Sequence, residues 1–225
     1  MKKLLSGGLL AIVCGAVLCM GVDAKYVYYT NDVGVEMTEL QYNKMLSIHS
    51  ERYVSHMSQE EFDSYKDANI ISSEAVYYKT TYENGVVVKE ETISEEEYKA
   101  APEGAVSDGV APLGSDSKYV ETSYKKLNAV LTDLGNSYKT VGVLTWKKIP
   151  YCRSYDVFAY RLSNLSYSGF SGSQVYYVNG QFNVIYYDTS SPGYKAQASG
   201  AGVSMNLVDG SNITGYELTI GTTLY

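Results

Sequence analysis

The side chains able to do chemistry are few and scattered. Two histidines, His49 and His56, stand seven apart in a stretch of helical spacing and so share a face. Metal pairs on helices stand four apart and need a third ligand, and no HExxH or Cys-x-x-Cys pattern accompanies them. They read as helix-surface or core-edge residues, and neither a metal nor a cofactor is expected. Cys152 has Lys147, Lys148 and Arg153 close by, which would favour its thiolate. A cysteine nucleophile also needs a histidine base, and both histidines lie far upstream. Ser204, in Gly202-Val203-Ser204-Met205-Asn206, lacks the second glycine of a nucleophile elbow. Asp156, Asp188, Asp209 and Glu217 offer carboxylates for glycoside hydrolysis, but nothing in their spacing selects a pair. No phosphate-binding loop or dinucleotide fingerprint is present.

Binding is better provided for than catalysis. The chain has 24 tyrosines against four phenylalanines. Tyrosine joins an apolar ring to a hydroxyl, which suits half-buried strand positions and surfaces that stack on sugars or pack on proteins. Doublets such as Tyr28-Tyr29, Tyr77-Tyr78, Tyr176-Tyr177 and Tyr186-Tyr187 put one ring on each side of a strand, so one of each pair should face outward. The stretch TWKKIPYCRSYDVFAYRLSN holds the only tryptophan, Trp146. Pro150 fixes its own φ and restrains Ile149, which predicts a corner near Ile149 to Arg153. In that reading Trp146 plugs the end of a β-sandwich, and Arg153, Asp156 or Arg161 tie the corner. The functional alternative makes Trp146 and Arg153 part of a ligand site. The candidate ligand-binding residues are therefore Tyr176, Tyr187, Trp146 and Arg153, with no catalytic set.

The elements that must position them can be read from pattern. Thr38-Glu39-Leu40-Gln41 and Ser58-Gln59-Glu60-Glu61 match the capping box, and Tyr42, Met45, Leu46, His49, Tyr53 and Met57 form a stripe at helical spacing. A hairpin over 75–93 turns at Asn84-Gly85, with Tyr82 opposite Val87 and Lys79 opposite Glu90. Ser94 caps a short acidic helix. Residues 100–117, rich in Pro, Gly and Ser, read as a linker between a helix-plus-hairpin region at 25–99 and a β domain at 118–225. That domain reads as strands over 118–132, 137–147, 154–163, 202–208 and 215–224, with a hairpin over 173–188 turning at Asn179-Gly180. On the hairpin, the face of Val175, Tyr177, Phe182, Val184 and Tyr186 should pack inward and that of Gln174 and Tyr176 should meet water. The Ser/Gly-rich run 166–173 and Gly200-Ala201-Gly202 read as loops. The fold class is mainly β: a C-terminal β-sandwich or jelly-roll-like domain after a small α+β region.

Lys2 and Lys3, an apolar run from Leu9 to Met20, and Val22-Asp23-Ala24 make residues 1–24 a signal peptide, too short to stay as a membrane span. The downstream cleavage site explains the segment better than a lipid anchor at Cys14 or Cys19. Once the leader is removed Cys152 remains alone, so no internal disulfide forms. The formal net charge of −7 argues against nucleic acid or anionic lipid as a partner. The segments TSYKKLNAVL, LTWKKIPYCRSYDVFAYRLSN and GAGVSMNLVD resemble an uncharacterised group of small exported proteins of Firmicutes, over about the last half of the chain. The resemblance implies export and a β fold, and it carries no activity, ligand or functional residue. The expectation is a secreted, non-enzymatic protein that binds a cell-wall glycan or an extracellular protein through tyrosines. A secreted hydrolase with a carboxylate pair and a β-type toxin are the alternatives.

Overall fold

The computed structural model describes residues 27–84, 86–105, 120–149, 153, 155–163, 166–210 and 212–225. The expected leader, most of the expected linker, and Pro150 and Cys152 of the expected corner lie outside these residues.

The chain begins with a small pair, β1 (Tyr29–Thr30) and β2 (Glu36–Met37), followed by three short helices, α1 (Glu39–Ile48), α2 (Glu51–Val54) and α3 (Gln59–Tyr65). Both expected capping boxes form: the hydroxyls of Thr38 and Ser58 accept from the third helical N–H, and Gln41 and Glu61 reach back to the cap N–H. Polar side chains lock these helices together. Asn31 donates to the carbonyls of Val54 and Met57 and accepts from Val35. Asn128, far along the chain, donates to the carbonyls of Ser47 and Ile48, which α1 leaves free at its end.

The strands β3 (Asn69–Glu83) and β4 (Val86–Ile93) form the first hairpin, with Asn84 in the left-handed region at φ 51°. Tyr82 does face Val87, but a bulge at Val88 shifts the rest, so Lys79 faces Glu91 and Thr80 faces Glu90. The short helix α4 (Glu95–Ala100) and β5 (Gly104–Ala105) follow. Next come β6 (Val120–Asp133), β7 (Tyr138–Ile149), β8 (Tyr155–Arg161), β9 (Tyr167–Val178), β10 (Gln181–Tyr187), β11 (Lys195–Gln197), β12 (Gly200–Asn206) and β13 (Ile213–Leu224). Seven antiparallel strands in the order β10-β9-β13-β7-β6-β3-β4 build the main sheet, and β5 pairs in parallel with the end of β7. A second sheet has the order β11-β12-β8.

The protein is mainly β, and the central strands of the main sheet are covered on both faces, while β4 and much of β3 stay exposed. Alternation along β7 sends Val141 and Val143 to one side, where they meet Met45, Ile48, Val54 and Phe62 of the helices. Leu144 and Trp146 go to the other, where they meet Phe158, Val203 and Met205 of the small sheet. This double cover corrects one expectation: the side of β9 bearing Gln174 and Tyr176 packs under the small sheet, with Gln174 fully buried and Tyr176 half-buried. On the opposite side Val175 and Tyr177 pack inward as expected, whereas Tyr186 is exposed. The run 166–173 is largely strand, because β9 begins at Tyr167 and pairs with the end of β13. Gly200 and Gly202 are strand residues too. A Cβ on Gly202 would lie 2.5 Å from that of Ala159, so their smallness serves the close approach of β12 to β8 rather than a loop.

The expected division at 100–117 separates stretches of sequence that share one sheet. β3 pairs with β6 along nearly its whole length, and the helices share a core with β6, β7 and β9. Among the described residues no helix is long and apolar enough to cross a membrane.

Candidate functional site

Pairing between β13 and β7 stops at Glu217 and Thr145, and beyond that point β7 takes β5 as its neighbour while β13 stays with β9. A cleft of about 990 Å³ opens at this fork, walled by α2 on one side and the end of α4 on the other. Because the fork lies at the end of a strand pair, side chains from both faces of the sheet reach it. Tyr177 and Glu217 come from the helix-covered face, Trp146 and Tyr216 from the face under the small sheet, and Tyr29 and Tyr98 from outside the main ladder. Five aromatic rings therefore border one cavity.

Its polar groups are firmly held. Glu217 is almost wholly buried, and its carboxylate accepts from His49 Nδ1 at 3.0 Å, from the Ser50 backbone N–H at 3.2 Å and from Thr145 Oγ1 at 3.5 Å. The His49 ring stacks on Tyr53 at 4.2 Å, and the Tyr53 hydroxyl donates to Glu61 at 2.7 Å. Lys147 crosses to the carbonyls of Tyr98 and Lys99 and so ties α4 to the sheet. Burial pushes the Tyr98 hydroxyl up to about 12, helped by Tyr77 and Glu103. Burial also pushes Tyr216 up to about 12, against the pull of Arg153. The Tyr177 hydroxyl is raised as well, by burial and then by Glu217, with Arg52 opposing. At neutral pH all three rings thus keep their protons.

The four residues singled out from the sequence are placed as follows. Trp146 is buried and borders the cleft, edge-on to Tyr216 at 6.1 Å. Arg153 lies behind Tyr216, its guanidinium 5.8 Å from the ring centroid, and donates to the Gly210 carbonyl at 2.7 Å and to Asp209 at 3.4 Å. It thus holds the segment at 209–210 that leads into β13, while most of the corner expected at 149–153 falls outside the described residues. Tyr176 is half-buried with its ring 6.5 Å from that of Tyr216. Tyr187 is half-buried against the second core, and its hydroxyl accepts from Gln174 at 3.1 Å. Three of the four therefore gather round Tyr216, a residue the sequence reading passed over, and Tyr187 stands apart. In the doublet Tyr186-Tyr187 it is Tyr186 that faces outward.

The histidines do not meet: His49 pairs with Glu217, while His56 stacks on Phe182 at 4.9 Å. Among the described residues no three His, Cys, Asp or Glu side chains are grouped to hold a metal ion. The cleft residues come from positions 29 to 217, and no local motif joins them. In comparisons with known proteins no family model matches the chain, nor does any curated protein or solved structure. Its function has to be read from the cleft itself.

Proposed function

We propose that this is an exported binding protein that holds a cell-wall glycan in the cleft at the fork of β7 and β13. The observation that carries the reading is the lining: five aromatic rings, three of them buried, beside fixed donors and acceptors in about 990 Å³. Sugars present apolar C–H faces and a rim of hydroxyls. They are held by stacking on aromatic rings and by hydrogen bonds from polar groups already in place. The half-buried Tyr29 and Tyr98 are the rings most open to such stacking.

Binding fits the cleft better than hydrolysis. A two-carboxylate mechanism would pair Glu217 with Glu51 or Glu103, the other acids of the lining. Glu217 already has its oxygens committed to His49, Ser50 and Thr145.

The test is co-sedimentation of purified residues 25–225 with insoluble Gram-positive cell walls, wild type against a Tyr29→Ala/Tyr98→Ala double variant. Saturable pelleting that the folded variant loses supports the reading. Pelleting unchanged in the variant moves the binding surface off the cleft, and no pelleting ends the wall-glycan reading in favour of a protein partner.

A further inference from the structure

We infer that Arg52 sets the specificity of the cleft, and that the glycan it selects carries an anionic group, a carboxylate or a phosphate. The inference rests on the cleft being the binding site.

Three contacts hold the Arg52 guanidinium at the cleft wall. Its Cζ lies 4.6 Å from the centroid of the Tyr177 ring. Its Nη1 donates to the Thr214 carbonyl at 3.1 Å. It also rests on Gly215, where a Cβ would come within 2.5 Å of Nη1. A glycine there leaves room for the cation, so strand, ring and carbonyl form a seat for it. Only Nη1 of a planar group with five N–H donors makes a hydrogen bond here, and no carboxylate pairs with Arg52 among the described residues.

The other cations of the lining are committed elsewhere. Lys99 pairs with Glu95 at 2.9 Å, and Lys147 is taken up by two carbonyls of α4. A fixed guanidinium with donors to spare matches the two oxygens of a carboxylate or phosphate in parallel, a geometry that a lysine ammonium does not offer. The acidic net charge of the chain works against long anionic polymers at a distance, but not against a single charged group seated at contact range.

The experiment is titration calorimetry on residues 25–225 with three tetrasaccharides: neutral chitotetraose, tetragalacturonate, and a phosphorylated tetrasaccharide. Wild type should bind one anionic probe about tenfold more tightly than the neutral one, the size of one charge-assisted contact. The tighter of the two anionic probes identifies the group. Arg52→Gln should abolish the preference, by weakening the anionic probe about tenfold more than it weakens chitotetraose. Gly215→Ala, which keeps the charge but unseats it, should reduce the preference, with thermal melting showing that both variants are folded. Equal affinity of wild type for neutral and anionic probes, or a preference that survives in Arg52→Gln, overturns the assignment while the cleft reading stands. Binding of none of the three overturns both.

Discussion

His49, at the end of α1, and Glu217, in the middle of β13, are joined by a 3.0 Å hydrogen bond between side chains that are 2% and 1% exposed. The pair closes a loop of 168 residues and fixes the helical layer over the main sheet, directly beneath the cleft. Glu217→Ala leaves the His49 donor and the Ser50 N–H buried without an acceptor, and should cost about 3 kcal/mol. Glu217→Gln retains one acceptor and should cost less. Urea unfolding of both, with His49→Ala and the double variant, checks this. A double-variant loss equal to the sum of the single losses would mean that the two side chains are not coupled.

Gln174 is the corresponding tie on the other face. Its amide donates to the Asn206 carbonyl at 3.0 Å and to Tyr187 at 3.1 Å, and its oxygen accepts from the Val208 N–H at 3.3 Å. Gln174→Leu keeps volume but removes the partners of the part-buried Asn206 carbonyl and Val208 N–H, each hydrogen bond being worth about 0.5–1.5 kcal/mol net. The expected outcome is local: faster amide hydrogen exchange across 200–208, with little change in the paired part of β13. Unchanged exchange at β12 would show that the small sheet is held by its apolar contacts alone.

Local chemistry made much of the fold readable. Thr38 and Ser58 announced helices because the cap is complete within four residues, and Asn179, at φ 51°, announced a hairpin because few side chains tolerate that backbone. The errors lie where a distant neighbour decides. A lone hairpin has a wet side, which points Gln174 toward water, and it is the second sheet that dries it. Gly200 and Gly202 resembled a loop because the reason for their smallness is the strand β8, some forty residues upstream in the chain. The cleft was less legible still. Trp146 was visible as a rarity, but Tyr29, Tyr98, Tyr177 and Tyr216 are unremarkable among 24 tyrosines until the parting of β7 and β13 brings them together.

Asp156 gives a pH dependence. Burial raises its carboxyl above the ordinary value of 3.8, with the Lys125 ammonium and the Val157 N–H working against the rise. Between 3.8 and its raised value the folded chain binds more protons here than the unfolded chain, so this group's contribution to stability falls as pH rises through that window. Above the window the loss is complete and constant. Asp156→Asn should therefore unfold at higher urea than wild type at neutral pH, and the two should converge below pH 3.8. A variant less stable than wild type at neutral pH would show that Lys125 more than repays the burial of the charge.

Tyr177 carries the last expectation, because its hydroxyl is buried without a hydrogen-bond partner among the described residues while its ring packs under Arg52. Removing an unsatisfied buried hydroxyl and keeping the ring should be neutral or stabilising, by up to about 1 kcal/mol for Tyr177→Phe. The same substitution should act at alkaline pH. Tyr98 and Tyr216, held up to about 12, and Tyr177, also raised, keep their protons in the folded chain after unfolded tyrosines, near 10, have lost theirs. Stability from these groups is thus fully present below pH 10 and is lost as pH rises through their folded values. Tyr177→Phe deletes one of these ionisations and should move the alkaline unfolding midpoint upward, followed by phenolate absorbance and circular dichroism. A variant clearly less stable than wild type at neutral pH would show that the hydroxyl is bonded after all, with a water in the cleft as the natural partner.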